Sequence, residues 1–324
     1  MIKRAAVLFN PSSGKGRSLR EKKRIETILA ANTRGIEFDW FVSESEGHLG
    51  KLAAEAVGQY PVIVGVGGDT TFNIAAREIL HYNRHPAPVM GMIGTGSAND
   101  IVRGLGILNI EEACHAIIRG NTGKMDVGCL KIKRKETEAE ESLFFLGTLS
   151  FGLGAAVNRY VEGFHRRHRL LSRVMPLNLI QVAAGLIGIS RSFSTERLPL
   201  KAAVQTGNPG GKPSTGKEIE FSLLVILNTP FYANGFELGK AGGLFDGMLD
   251  GCVIHTNSFT ETFRLAGKFQ RGVYDKDKVE YFHSPLFRIF SGKPIDIQVD
   301  GDIIGGVEEV EVSVIPGKLE VFIR

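Results

Sequence analysis

A chain of 324 residues, 43% of them hydrophobic and 23% charged, has the make-up of a globular protein long enough for two domains with a core each. Its formal charge of +4 is too small for a duplex-binding footprint, which sets nucleic acid aside as a partner, yet it suits anionic nucleotides or lipid headgroups. Cys114, Cys129 and Cys252 are odd in number and lack the spacing of a zinc site or a disulfide framework, so core thiols in a reducing, cytoplasmic setting are expected.

Lys3 and Arg4 lead into the apolar run Ala5 to Phe9, which is too short for a signal peptide, has no cleavage site and reads as a first strand. From there to Arg119, apolar runs alternate with helix-period segments, predicting an α/β domain whose parallel, Rossmann-like sheet is covered on both faces. Strands are expected over Ala5 to Phe9, Ile36 to Val42, Pro61 to Gly65 and Pro88 to Ile93, with helices over Leu19 to Ala31, Leu49 to Gln59 and Phe72 to Tyr82. Beyond Asp126 the texture changes to short strands between polar turns, among them Phe221 to Leu227, Leu249 to Ile254, Ile295 to Val299 and Leu319 to Ile323. The expected organisation is an α/β domain over 1–126 and a mainly β domain over 127–324, with the final strand returning towards the first domain. A helical insertion from about Ala155 to Ser190 interrupts the second domain, and Lys131 to Glu141 and Thr206 to Lys217 read as solvated hairpin loops. The most apolar stretch, Val182 to Ile189, is far below the ~20 residues that span a bilayer, so any membrane contact is expected to be peripheral.

Ligands of open α/β sheets sit at the carboxyl ends of the strands, and there this sequence gathers Gly, Ser, Thr and Asp. Asn10-Pro11-Ser12-Ser13-Gly14 follows the first strand, Gly67-Gly68-Asp69-Thr70-Thr71-Phe72-Asn73 the third, and Gly94-Thr95-Gly96-Ser97-Ala98-Asn99 the fourth. Glycine removes the Cβ that would block a phosphate, and the free amides of a helix start supply donors and a favourable dipole. Asp69 cannot ligate phosphate itself, and beside a polyphosphate it makes sense as a ligand of magnesium or its water. Taken alone, Gly67-Gly68-Asp69 is equally a tight turn with a capping aspartate. Three such loops on one sheet edge favour a shared ligand, although neither Gly14-Lys15-Gly16 nor Gly94 to Asn99 completes a P-loop or dinucleotide fingerprint.

In this order and at these separations, Asn-Pro-x-Ser-Gly, Gly-Gly-Asp-x-Thr-x-Asn and Gly-Ser-x-Asn-Asp resemble the ATP-binding signature of the diacylglycerol kinase catalytic family. That family includes bacterial lipid kinases and sphingosine kinases and is related to NAD kinases. Asp126-Val127-Gly128, Asn228, Gly242-Gly243, Asp246 to Asp250 and Val299-Asp300-Gly301-Asp302 extend the resemblance over about residues 5 to 323. The resemblance implies an NAD-kinase-like first domain and a β-sandwich second domain. It implies ATP lined by Asn10, Pro11, Ser12, Ser13, Gly14, Ser43, Gly67, Gly68, Asp69, Thr70, Thr71, Phe72, Asn73 and Ser97, with Asp69 near a catalytic magnesium. It further implies Asp302 as general base, and a structural magnesium on Asp246 and the Met248 carbonyl, linked through water to Asp126. The implied activity is transfer of the γ-phosphoryl group to a hydroxyl of diacylglycerol or a related lipid.

Four positions depart from the family pattern. Thr70 stands where the family has Gly, and is strained by ~1–3 kcal/mol if its backbone needs φ > 0. Asp302 replaces a Glu one methylene longer, while Phe245 and Gly243 replace an acid and a Lys. These departures keep two other readings open: a catalytically weak nucleotide- and lipid-binding homologue, and an NAD-kinase-like enzyme acting on a soluble acceptor. Arg166, Arg167, His168, Arg169 and Arg173, ahead of the apolar Leu177 to Ile189, read either as a solvated helix face or as an element that docks on the inner membrane face. A homodimer is compatible with the sequence and not indicated by it.

Overall fold

The computed structural model describes residues 4–31, 35–82, 86–134, 137–167, 177–195, 198–211, 214, 216–240, 242–269, 271, 273 and 275–324, without the side chains of 134, 137–140, 161–167, 177–184 and 195. Four strands form a parallel sheet, β1 (Arg4–Phe9), β2 (Glu37–Val42), β3 (Val62–Gly67) and β4 (Val89–Gly94), of which the apolar runs β1, β3 and β4 are largely buried and the edge strand β2 only partly. Their order is β4-β3-β1-β2, so β1 has β2 on one side and β3 on the other, and a crevice opens at the carboxyl edge where the order switches. The helices α1 (Ser13–Ala30), α2 (Glu46–Val57), α3 (Asp69–His81), α4 (Asp100–Gly104) and α5 (Ile110–Arg119) cover the sheet. Ala6, Val7, Leu8, Ile63 and Val64 are wholly shielded in this first core.

The second half contributes β5 (Thr122–Arg134), β6 (Thr137–Phe145), β7 (Thr148–Gly152), α6 (Leu153–Arg167), α7 (Leu177–Thr195), β8 (Leu200–Gly207) and β9 (Lys217–Phe221). There follow β10 (Leu223–Leu227), the small hairpin β11 (Phe231–Tyr232) and β12 (Phe236–Glu237), β13 (Leu249–Ile254) and α8 (Phe259–Phe269). The strands β14 (Val279–Ser284), β15 (Leu286–Val299) and β16 (Asp302–Phe322) complete the chain. Antiparallel pairing in the order β14-β13-β10-β7-β15-β16 surrounds a second core that includes Phe145, Phe151, Phe221 and Phe287. Two long strands stitch the cores together. β5 gives Met125 and Val127 to the first core and Leu130 and Ile132 to the second, and the end of β16 returns Leu319, Val321 and Phe322 to the first core, with Val321 paired to Met90 of β4.

Lys131 to Glu141 is not a solvated loop over its described residues. β5 and β6 pair there through Lys131↔Ser142, Ile132↔Glu141 and Arg134↔Thr137. Leu130 and Ile132 point into the core while Lys131 and Lys133 point away from it, so strand alternation was masked by the charge of the outward face. Thr206 to Lys217 does join β8 to β9. The helical insertion forms α6 and α7. Arg166 and Arg167 close α6 without described side chains, and His168, Arg169 and Arg173 lie outside the described residues. Among the described residues no helix is long and apolar enough to cross a membrane. All three cysteines are buried, and burial pushes the thiols of Cys114 and Cys252 up to about 12.

Candidate active site

The three loops at the carboxyl edge are held against one another mainly through backbone. The Asn10 amide donates to the Val66 carbonyl of β3 at 3.0 Å, and the Asn10 side chain accepts from Ser12 Oγ at 2.8 Å while donating to Thr71 Oγ1 at 3.2 Å. Ser13 then leads into three left-handed residues, Gly14 (φ 57), Lys15 (φ 59) and Gly16 (φ 81), before regular α1 geometry begins. Gly14 is required by its neighbours as well as by its dihedral, because a Cβ there would lie 2.0 Å from the Thr95 carbonyl oxygen. The amides of Thr95 and Gly96 both donate to the Gly67 carbonyl, at 2.7 and 3.1 Å, and a Cβ on Gly96 would stand 2.5 Å from the Gly68 Cα. Thr70 sits in the first turn of α3 and is not among the left-handed residues, so the side chain that replaces the family's Gly carries no backbone strain.

These loops form one wall of a polar cleft of about 380 Å³, into which Ser13, Gly14, Gly68, Asp69, Thr70 and Ser97 face. Asn10, Pro11, Ser12 and Gly67 are not part of its lining. Ser43, Thr71 and Phe72, predicted to line the nucleotide, are buried instead: Phe72 belongs to the first core, and Ser43 Oγ donates to the Phe9 carbonyl. On the first turn of α3, Asp69 and Thr70 turn to the cleft while the next two side chains turn inward, a consequence of helical periodicity. The buried amide of Asn73 keeps both its nitrogen and its oxygen unpartnered, leaving hydrogen-bonding capacity on the same helix.

The facing wall comes from the second half of the chain, through Gly147, Thr148, Thr229, Phe231, Gln298 and Asp300. Val299 and Asp302 pair across a two-residue turn in which Asp300 (φ 48) and Gly301 (φ 103) are both left-handed, as in hairpin turns of the primed types. That turn aims Asp300 into the structure, where its carboxylate accepts from the amides of Leu146 (2.8 Å), Gly147 (3.0 Å) and Thr148 (2.7 Å). Burial pushes the Asp300 carboxyl up to about 6, against the opposing pull of these three amides and of Arg77. Asp302, the predicted general base, lies outside the cleft lining. Its side chain is 63% exposed and pairs with Arg77 at 3.3 Å. The sequence signal that separates the two acids is the Asp-Gly pair between flanking strand residues, which marks Asp300 as the turn residue.

Across the cleft, Asp69 accepts from the amides of Asp100 and Ile101, both at 3.2 Å, at the start of α4. Burial pushes its carboxyl up to about 6 as well, opposed by the Ile101 amide and reinforced by the nearby Asp100. Three carboxylates, Asp69, Asp100 and Asp300, line the cleft among its glycines and hydroxyl groups and would repel a bare polyphosphate. They fit one that brings magnesium, an ion usually held by one or two carboxylates together with substrate phosphates and water. Among the described residues no group of three or more His, Cys, Asp or Glu is placed to hold a metal through protein ligands alone.

The carboxylates expected around a structural magnesium are bonded to loop amides. Asp246 accepts from Gly243 and Met248 amides of its own loop, both at 3.0 Å. Asp126, 2% exposed, accepts directly from Gly247 (2.6 Å) and Gly317 (2.7 Å), while its own amide donates to the Leu244 carbonyl. Each of these carboxylate oxygens thus accepts one loop amide, and Asp126 is bonded directly to the loop that carries Asp246. Asp126→Ala is expected to cost about 2–5 kcal/mol by leaving two buried donors unmatched, read from urea unfolding. The wild-type midpoint is expected to be the same in EDTA and in magnesium.

Beside the polar cleft lies an apolar cavity of about 390 Å³, lined by residues such as Leu153, Val157, Ile189, Leu223, Leu265 and Phe269. Tyr232, Ala233 and Gln298 line both spaces and stand at the boundary, or neck region, where the two meet. There the Tyr232 hydroxyl donates to Ser150 Oγ (3.4 Å) and Ser150 donates to Gln298 Oε1 (3.0 Å). Gly154 makes room for this chain, since a Cβ would stand 2.2 Å from Ser150 Oγ. Ala233 (φ 47), Asn234 (φ 74) and Gly235 (φ 92) are consecutive left-handed residues, and backbone strain of this kind concentrates at ligand sites. The Asn234 amide donates to Asp100 Oδ2 at 3.0 Å and Arg103 lies over the Phe231 ring, so α4 holds the neck loop in place. Sequence reasoning missed this cavity because its walls come from α6, α7, β10, the β11–β12 hairpin, β13, α8 and β15 without any contiguous motif.

An NAD-kinase-like α/β domain joined to a β-sandwich, with glycine loops and acids facing one cleft, defines a phosphotransferase of the lipid and NAD kinase type. Residues 4–130 match the diacylglycerol kinase catalytic domain, and residues 147–323 match the YegS C-terminal NAD kinase beta sandwich-like domain. The chain belongs to the diacylglycerol kinase family. A diacylglycerol kinase of Staphylococcus aureus (strain MRSA252) is 33% identical over 312 residues, covering 94% of this chain and 88% of that protein. The crystal structure of a diacylglycerol kinase from Bacillus anthracis str. Sterne superposes with a TM-score of 0.67 at 15% identity, covering 99% of this chain and 97% of that one. Yeast NADH kinase in complex with NADH shares the fold at a TM-score of 0.51 and 10% identity, covering 100% of this chain and 84% of that one.

Proposed function

We propose that the protein transfers the γ-phosphoryl group of ATP to a hydroxyl of a lipid, diacylglycerol or a related long-chain alcohol. One observation carries this reading: the polar cleft edged by glycine loops adjoins an apolar cavity, and Tyr232, Ala233 and Gln298 line both. A dinucleotide acceptor has little to gain from walls of Leu, Ile, Val and Phe, whereas a hydrocarbon chain buries its surface there. The loop amides near Gly14, Gly68 and Gly96 receive the phosphates. Asp69 meets the magnesium that accompanies the nucleotide, an ion that offsets phosphate charge when bound. Asp300 accepts the proton of the acceptor hydroxyl as its oxygen attacks the γ-phosphorus and ADP departs. Gln298 and Tyr232 hold the hydroxyl end of the acceptor at the neck, with its tail in the cavity.

Ala266 of α8 lines the apolar cavity but not the polar cleft. Ala266→Trp is expected to raise KM for long-chain diacylglycerol in mixed micelles by roughly tenfold or more, with KM for ATP unchanged. Unaltered use of long-chain acceptor by a folded variant would place the lipid elsewhere.

A further inference from the structure

We infer that the outer face of α8 is a docking surface for an anionic lipid bilayer. The purpose of this surface rests on the lipid-kinase reading. α8 is two-sided: Thr262, Leu265, Ala266 and Phe269 form a wall of the apolar cavity, while Phe259, Phe263, Arg264, Gly267, Lys268 and Arg271 line a groove on its other side. Among the described residues no acidic side chain lines that groove. Phe259 and Phe263 stack with ring centroids 6.1 Å apart, and Phe263 is 59% exposed. Two more exposed large apolar side chains occur nearby in the chain or fold, Val273 just beyond α8 and Ile187 on α7, which packs against α8. Lys268 is paired with Asp275 and Lys278 with Glu261, so Arg264 and Arg271 supply the positive charge of the outer face.

Exposed aromatics flanked by arginine match the boundary between headgroups and acyl chains. Charge selects the occupant. A second copy of the chain docked by the same patch would bring Arg264 and Arg271 against their own counterparts, whereas anionic headgroups complement them. The position is also apt, because α8 contributes side chains both to this outer face and to the wall of the apolar cavity.

The test is sedimentation of the full chain, without nucleotide, on vesicles of phosphatidylcholine with or without phosphatidylglycerol. Wild type is expected to prefer the anionic vesicles, and the double variant Arg264→Glu with Arg271→Glu to bind them at least about tenfold more weakly. Phe263→Ser is expected to weaken binding while leaving the melting temperature and the phosphorylation of a dispersed short-chain acceptor unchanged. Equal sedimentation of wild type and the double variant would overturn the inference, as would a wild-type dimer that the double variant loses. The two claims part cleanly: vesicle binding without any lipid phosphorylation overturns the kinase reading alone, and phosphorylation with charge-indifferent binding overturns the docking surface alone.

Discussion

Asp300→Asn is expected to lower kcat by about 100- to 10,000-fold, the range for losing a general base, whereas Asp302→Asn is expected to stay within about tenfold of wild type. The difference follows from where the β15–β16 turn puts each acid. Asp300 lines the polar cleft and is fixed by three amide donors, while Asp302 is largely exposed on Arg77 outside it. In Asp300→Asn the side-chain oxygen can still accept from Gly147 and Thr148, but its NH2 group meets the Leu146 amide, at a stability loss of about 1–3 kcal/mol. Activity is therefore compared well below the melting temperature, with circular dichroism confirming the fold. A base whose carboxyl sits at about 6 also sets a pH dependence: kcat/KM is expected to fall as pH drops through about 6, where Asp300 takes up a proton. The same shift acts on stability with a definite sign. Asp69 and Asp300 both titrate above the ordinary 3.8, so between pH 3.8 and about 6 the folded chain binds more protons than the unfolded one. Their contribution to stability thus declines as pH rises through that window.

Gly96→Ala is expected to weaken Mg-ATP binding by roughly 100-fold, because displacing phosphate-facing amides by about 1 Å has costs of that order. The added Cβ would stand 2.5 Å from the Gly68 Cα and 2.9 Å from Asn99 Oδ1, so the loops after β3 and β4 must separate. No soft side-chain end is available to yield at the first of these contacts, since both partners are backbone. Gly47→Ala serves as the control. A Cβ at Gly47 meets nothing within 4 Å in α2, and the substitution is expected to leave binding unchanged and to add up to about 1 kcal/mol of stability. Calorimetric titration with Mg-ATP reads both variants.

The parallel sheet and its three loops were legible because their physics is local. Continuous apolar runs mark strands buried from both faces, and glycine with hydroxyl residues marks where a strand hands over to a helix. Motif reading assigned a ligand role to every residue of Asn10 to Gly14 and Gly67 to Asn73, and the cleft lining includes only some of them. Helical periodicity turns Thr71 and Phe72 into the core one step after Asp69 and Thr70 face the cleft, and Ser43 serves the end of β1. The choice between Asp300 and Asp302 needed the handedness of a two-residue turn, which the Asp-Gly pair signals but a motif does not. The strands around Lys131 to Glu141 were hidden by charge on their outward face. The Asp126 clasp and the apolar cavity depend on contacts between segments far apart in sequence, such as Asp126 with Gly247 and Gly317, which no local pattern records.

The proposed activity rests on a polar cleft and an apolar cavity that share Tyr232, Ala233 and Gln298. Its most direct test is to incubate the protein with γ-labelled ATP and magnesium, in one arm with diacylglycerol in mixed micelles and in the other with NAD. Label is expected in the lipid and absent from the dinucleotide. Label in NAD with none in the lipid, or no transfer in either arm, would contradict the account.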